Sequence, residues 1–399
     1  MKPSTFKLMC AAGLFAIFSS TLSKSPVLPI FAVHLGATAS EVGIIAAIST
    51  LAGICLSIPA GLLSDRFGRK AMLVAGGVVF ASAPAMYLSA TGIWQLTAIR
   101  FYHGLATAIF MPVAMAYISD LYEGAKGEKL GWFSSTTLIG RFMAPLTGGA
   151  LLGYFGTEST LGFAAIYSLC LVSGVLTLAL SARMPSRGTL APAAKSWREQ
   201  VAGLSQLFSS GPLLCLGMVE ASVLFMYGTI EVFLPLYGLR HGIGASGIGI
   251  CLSAQVVTLA ATKPMMGRMS DKHGRSGQIV WGAALGAAAV ATLAATTSFV
   301  PILVISVAIG LSLSIVTSAT SAAVADVSRC ELRGSAMGVF GTIMDLGHSS
   351  GPLVSGMLAA YLGYGTAFIG AGLVVAAALI VFKVTFASRV EICSPQGLQ

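Results

Sequence analysis

Charge is scarce in this chain: Asp, Glu, Lys and Arg together make up 9% of its 399 residues. A soluble protein of this length carries roughly 25%, so a water-exposed globular fold is excluded for want of polar surface. Paired-cysteine spacings are missing too. Cys10, Cys55, Cys170, Cys215, Cys251, Cys330 and Cys393 form no C-x-x-C and mostly sit in apolar stretches, as small packing residues do, rather than metal ligands or disulfide partners. No nucleotide-binding loop, metal cluster or nucleophile–base arrangement emerges, which speaks against an enzyme, a metal site and a cofactor. Residues 1–20 have the basic start and apolar run of a secretory leader, but no convincing cleavage site. Their apolar character continues to about Val33, so they read as a retained first helix.

What the chain has in abundance is apolar sequence, 56% hydrophobic with a mean hydropathy of +0.87. A bilayer is spanned by about 20 apolar residues in a helix, and twelve such segments are predicted: 6–33, 41–63, 71–91, 94–119, 130–152 and 161–183, then 211–239, 244–267, 277–298, 300–324, 335–361 and 364–387. The fold class is therefore an all-α polytopic membrane protein. Its expected domains are 1–183, a polar linker at 184–210 and 211–399. Within the linker, 196–208 has the pattern of an amphipathic helix lying on the membrane surface.

The net charge of +9 invites a nucleic-acid partner, but its distribution points elsewhere. Of the 23 Lys and Arg residues, 18 fall in the connections on the N-terminal side of the segments. Arg240 lies on the opposite side, and Lys24, Arg100, Arg141 and Lys263 lie inside segments. Basic connections stay in the cytoplasm, so both termini and the linker are expected there, in a bacterial inner membrane. The basic balance then needs no nucleic acid.

The chain also repeats itself. A shift of 206 residues places Pro29 on Pro235, Gly36 on Gly242, Gly61 on Gly267, Ser64 on Ser270, Asp65 on Asp271, Gly68 on Gly274, Arg69 on Arg275, Gly104 on Gly310 and Asp120 on Asp326. One offset across so many residues predicts two pseudo-symmetric six-helix bundles, an organisation suited to alternating access.

Four motifs identify a family. The stretch Gly61-Leu-Leu-Ser-Asp65-Arg66-Phe-Gly68-Arg69-Lys70 carries four charges in a charge-poor chain. Its weaker copy is Gly267-Arg-Met-Ser-Asp271-Lys272-His-Gly274-Arg275, and segment four carries Arg100-Phe-Tyr-His103-Gly104. Segment five reads Gly131-(x8)-Gly140-(x3)-Ala144-Pro145-(x2)-Gly148-Gly149, and segment eleven Gly338-(x8)-Gly347-(x3)-Gly351-Pro352-(x2)-Ser355-Gly356. Over its whole length the chain resembles the major facilitator superfamily, the twelve-helix drug:proton antiporter branch in particular. His103 stands where that family's segment four usually has Gln, and Ala144 where its segment five has Gly. The resemblance implies a fold of twelve helices in which segments one, four, seven and ten line a central cavity. It also implies that Gly61, Asp65, Arg66, Gly68 and Arg69, with Asp120, Asp271 and Arg275, form a latch that holds one conformation. On physical grounds the basic members also serve as topology anchors. Gly140, Pro145, Gly148, Gly149, Gly347, Gly351 and Pro352 let helices approach closely, whether or not they do more.

Charges within the segments each need a reason, since one near the bilayer centre costs roughly 2.5–3.5 kcal/mol on insertion scales. Lys24, Arg100 and Arg141 lie in the first half, and Glu220, Glu231 and Asp345 in the second. Counted at 1.5 Å per residue, Lys24, Arg100 and Glu231 fall in the outer half of the membrane, and Arg141, Glu220, Asp345 and His348 near its middle. Lys263 falls about a turn from the end of its segment and is expected to snorkel. Glu220 and Glu231 share a face with Leu224 and Tyr227. Desolvation and a neighbouring cation pull on a carboxyl proton in opposite senses, which makes Glu220, Glu231 and Asp345 the proton-coupling candidates. Lys24, Arg100, His103, Arg141, Tyr227 and His348 are candidates for lining the substrate cavity. Static ion pairs, Arg141 with Asp345 or Glu231 with Lys24 or Arg100, are the alternative. Phe15, Phe18, Phe31, Phe110, Phe225, Met226 and Phe233 offer an adaptable apolar wall.

Two transport functions stay open. One is proton-coupled export of small amphipathic molecules. The other is an organic-anion, sugar or metabolite carrier, which the cation-rich first half suits because segment one offers Lys24 where drug exporters often carry an acid. A sensor or scaffold on the same fold is a third. The partners expected are a small-molecule substrate, protons and the bilayer, for a monomeric protein.

Overall fold

Away from water, a helix lets each of these apolar segments satisfy its own backbone N–H and C=O groups. The computed structural model describes residues 4–186, 211–328 and 333–385. Among them are thirteen α-helices, one 3₁₀ turn at Glu123–Ala125 and no strand. The helices are α1 (Ser4–Leu22), α2 (Val27–His34), α3 (Ala39–Phe67), α4 (Arg69–Tyr87), α5 (Ile93–Leu121), α6 (Lys126–Phe155) and α7 (Thr160–Ala182). They continue with α8 (Gly211–Arg240), α9 (Ala245–His273), α10 (Arg275–Leu293), α11 (Phe299–Val327), α12 (Arg333–Leu362) and α13 (Tyr364–Thr385). The amphipathic stretch expected at 196–208 lies outside the described residues.

Twelve spans account for the thirteen helices because the first is broken. Segment one, expected as one helix, is α1 and α2 separated by residues 23–26. Pro26 lacks an N–H and disfavours helical backbone in the residue before it. Ten spans are long and apolar enough to cross a membrane. The other two, α6 and α12, have 30 residues each but are diluted by Gly, Ser and Thr.

The charged stretch at 61–70 is more helical than a loop reading suggests. Helix α3 runs through Phe67 and α4 begins at Arg69, so the turn is Gly68 alone, at φ +89°. Its repeat partner Gly274, at φ +87°, separates α9 from α10. A side chain is strained at such angles, which explains glycine at both corners. Thr38 opens α3 with a reciprocal cap to Glu41.

The chain forms two compact units, residues 1–194 with 231–256, and residues 195–230 with 257–399. In the first unit α4 packs on α5 and α7, α3 on α5, and α1 on α6. Its core includes Leu73, Phe80, Phe110 and Phe133. Close approaches rest on glycine. A Cβ on Gly104 would meet the Ser49 carbonyl oxygen at 2.5 Å, and one on Gly140 the Leu14 carbonyl oxygen at 2.6 Å. In the second unit α10 packs on α11 and α13, and α12 on α13. A Cβ on Gly347 or Gly351 would fall on the Ala221 or Phe225 carbonyl oxygen of α8. The glycine motif of α6 thus seats α1, and that of α12 seats the corresponding helix α8.

Gly149 has a different neighbour, the start of α9. Its Cβ would meet the Ala245 carbonyl oxygen at 2.6 Å and Gly249 Cα at 2.9 Å. Gly149→Val is expected to cost about 1–3 kcal/mol by overpacking. Gly127→Ala, with nothing within 4 Å of its Cβ, should be neutral or slightly stabilising. Thermal unfolding of the two purified variants checks both.

Candidate functional site

The break between α1 and α2 is where polar groups gather. The backbone turns tightly there, with the Ser25 N–H donating to the Thr21 carbonyl at 2.8 Å and that of Leu28 to the Lys24 carbonyl at 3.1 Å. Gly148 of α6 makes room for the kink, since a Cβ on it would lie 3.0 Å from Val27, 3.2 Å from Leu22 and 3.3 Å from Pro26. Half-helices with an irregular joint inside a membrane recur at carrier binding sites.

Two neighbouring residues of the joint reach two different groups. Lys24 Nζ lies 2.7 Å from Glu231 Oε2, with side-chain exposures of 20% and 10%. Glu231 belongs to the same compact unit as Lys24, so this pair is internal to it. Ser23 Oγ sits 3.4 Å from His103 Nδ1. Helix α5 places Arg100 and His103 three residues apart on one face, and both are 3% exposed. From α4, Tyr87 Oη accepts from Arg100 Nη1 at 3.2 Å and lies 3.4 Å from His103 Nδ1. From α7, Tyr167 stacks on Tyr87 with centroids 4.5 Å apart and planes at 9°.

This cluster is under-satisfied. Arg100 Nε, His103 Nε2 and Tyr167 Oη are buried with no hydrogen-bond partner among the described residues. Buried polar groups ordinarily find partners, and three orphans in one cluster make it the candidate site.

A second polar focus lies in the other unit. Glu220 of α8 is 0% exposed, and its Oε2 accepts from Thr320 Oγ1 of α11 at 2.7 Å. Its Oε1 has no hydrogen-bond partner among the described residues, nor have Ser314 Oγ and Thr317 Oγ1 on α11. Tyr227 and His348 stack at 5.7 Å and 21° in the same unit. Arg141 and Asp345 are exposed along their helices and belong to different units. Lys263 is also exposed. Because α9 continues to His273, Lys263 stands ten residues from the end of its helix.

The repeated charge motif appears twice in matching form. Arg69 Nε lies 3.1 Å from Asp120 Oδ2, and Arg69 also donates to Ser64 Oγ. In the copy, Arg275 Nε lies 3.0 Å from Asp326 Oδ2, while its Nη1 donates to Ser270 Oγ at 3.0 Å and Asp271 Oδ1 at 2.6 Å. Arg66 is exposed, its guanidinium 5.6 Å from the Phe67 ring centre. The Asp65 side chain lies outside the described residues. No group of three or more His, Cys, Asp or Glu that could hold a metal occurs among the described residues.

Tyr87, Tyr167, Ser23 and Thr320 were not legible as site residues. Single hydroxyls in apolar segments carry no period and no spacing rule. Asp326 had a signal, its place 206 residues after Asp120.

Comparisons with known proteins bear on the family and the fold. The family model described as "Major Facilitator Superfamily" matches residues 9–246 and 232–391. An uncharacterized MFS-type transporter of Methanocaldococcus jannaschii is 28% identical over 368 residues, covering 90% of each chain. The multidrug resistance protein 1 of Bacillus subtilis is 24% identical, covering 87% of each. Among solved structures, an inward-facing, unoccupied bacterial homolog of the human lysosomal transporter Spinster superposes with a TM-score of 0.80 at 17% identity. It covers 99% of this chain and 100% of that one. A nucleoside transporter gives 0.76 at 14% identity, covering 95% and 100%.

Proposed function

As a member of the Major Facilitator Superfamily, this chain is a membrane transporter of small molecules and not an enzyme, and we propose that it couples proton movement to the export of small amphipathic compounds. Glu220 carries this reading. A carboxylate sealed at 0% exposure with one hydroxyl partner is costly to keep charged unless its surroundings change. Alternating access supplies that change, by opening the group to water in one state and closing it in another. The Lys24–Glu231 pair is the second exchange point, its cation replaceable by a proton on the carboxyl. Asp345 is the third candidate. Relatives named as multidrug resistance proteins support the export direction. The basic connections support an inner-membrane protein with both termini in the cytoplasm, and the 206-residue repeat supports a bundle at 1–183, a linker and a bundle at 211–399; we take the working unit to be a monomer.

The test is flux in proteoliposomes under an imposed pH gradient, using cationic, neutral and anionic amphipathic fluorophores. Export of at least one should rise with the gradient and collapse with a protonophore. Flux of every probe unchanged by either would sink proton coupling.

The two arginine–aspartate motifs act as latches in this scheme. Each aspartate is more than half exposed, so each pair adds at most about 1 kcal/mol to folding. Arg275→Ala should therefore leave the melting temperature nearly unchanged while slowing turnover several-fold. An unchanged turnover would reduce the motif to a topology anchor.

A further inference from the structure

The cluster at the break in the first span is unbalanced in charge. Within the membrane-spanning part of its unit, the described residues supply three basic side chains, Lys24, Arg100 and the exposed Arg141 of α6, and one carboxylate, Glu231. Lys24 holds Glu231 at 2.7 Å. No carboxylate among the described residues lies within ion-pair distance of Arg100, whose partner is the neutral Tyr87 hydroxyl. An uncompensated buried guanidinium costs several kcal/mol, so the site is built to receive one negative charge.

The orphan atoms say what kind. Arg100 Nε belongs to the edge through which a guanidinium grips a carboxylate in two parallel hydrogen bonds. Tyr167 Oη is a second free donor, and His103 Nε2 a third polar atom. A single buried cation without a carboxylate, Arg100, matches a monovalent group better than a dianionic phosphate. The surroundings are aromatic: Phe31 lies 5.3 Å from Tyr167 and Phe80 5.9 Å from His103, ring centre to ring centre. Such a setting favours an anionic head joined to an apolar body.

We infer that this cluster anchors the carboxylate of the transported molecule, so that the cargo is an amphipathic monocarboxylate, with Arg100 and Tyr167 determining specificity. The inference rests on the chain's being an amphipath exporter and narrows its substrate class. Ser23 and Lys24, in the joint between α1 and α2, link occupancy of the anion site to the Lys24–Glu231 pair.

The experiment uses the full chain in nanodiscs of zwitterionic lipid, with benzoate and octanoate, their neutral amides benzamide and octanamide, and chloride as probes. Thermal unfolding reads binding. The carboxylates should raise the midpoint saturably and the amides should not. Tyr167→Phe, which removes one hydroxyl, should weaken carboxylate binding roughly tenfold, and Arg100→Gln should abolish it. Equal shifts from acid and amide, or shifts that survive both substitutions, overturn the anchor. So does a full shift from chloride to which carboxylates add nothing, since the site then takes an inorganic anion only. If Arg100→Gln fails to fold, Tyr167→Phe alone decides. Gradient-driven flux is measured on the same wild-type preparation. Flux without carboxylate binding removes this inference and leaves proton coupling standing, whereas binding without gradient dependence does the reverse.

Discussion

Glu231→Gln is expected to abolish gradient-driven flux and to destabilise the protein by about 3 kcal/mol. The second effect follows from leaving Lys24, four-fifths buried, without its partner at 2.7 Å, since breaking a buried pair strands the surviving charge. The double variant Lys24→Met with Glu231→Leu removes both charges, and apolar replacement of a buried pair is often neutral or stabilising. Its melting temperature should return to near the wild-type value while flux stays absent. This combination separates the two roles open to the pair. A static bridge predicts that flux returns with stability, and that result would reassign Lys24 and Glu231 to helix packing.

The other large effect is expected at Glu220. The Gln side chain keeps an acceptor for Thr320 Oγ1 and the same shape, and it cannot take up or release a proton. Glu220→Gln should melt no lower than wild type, because a neutral amide is cheaper to bury than an incompletely partnered carboxylate. Its flux should lose all dependence on the pH gradient, with downhill movement of substrate left intact. Thr320→Val then tests the hydroxyl separately, as its loss strips Glu220 of its hydrogen-bond donor at 2.7 Å. Gradient-driven export that persists in Glu220→Gln would move the coupling proton to Glu231 or Asp345.

These expectations draw unequally on sequence and structure. The repeat was legible to the residue. Gly68 and Gly274 both sit at positive φ, and Arg69 with Asp120 has its counterpart in Arg275 with Asp326. Ion pairing of Glu231 was legible only as an alternative, with Lys24 and Arg100 both eligible. The structure chooses Lys24, because the chain turns at 23–26 and carries that side chain to α8. The break itself was not read from the sequence, although Ser23-Lys24-Ser25-Pro26 is polar and holds a proline; the apolar runs on either side were joined across it, and hydropathy does not register a missing N–H.

By itself the sequence determined that the chain is a twelve-span membrane protein, duplicated, with charged corners and glycine-lined helices. Such properties are local: each depends on residue type, run length or a constant offset, and the bilayer enforces them segment by segment. Only the tertiary structure decided which buried charge is paired and which is left over. That outcome depends on the rotation and depth of helices far apart in the chain. Tyr87 and Tyr167 must stack for Arg100 to have its one neutral partner, and Thr320 must face Glu220 across two helices. A buried charge acquires its meaning from its neighbours, and those neighbours are set by packing.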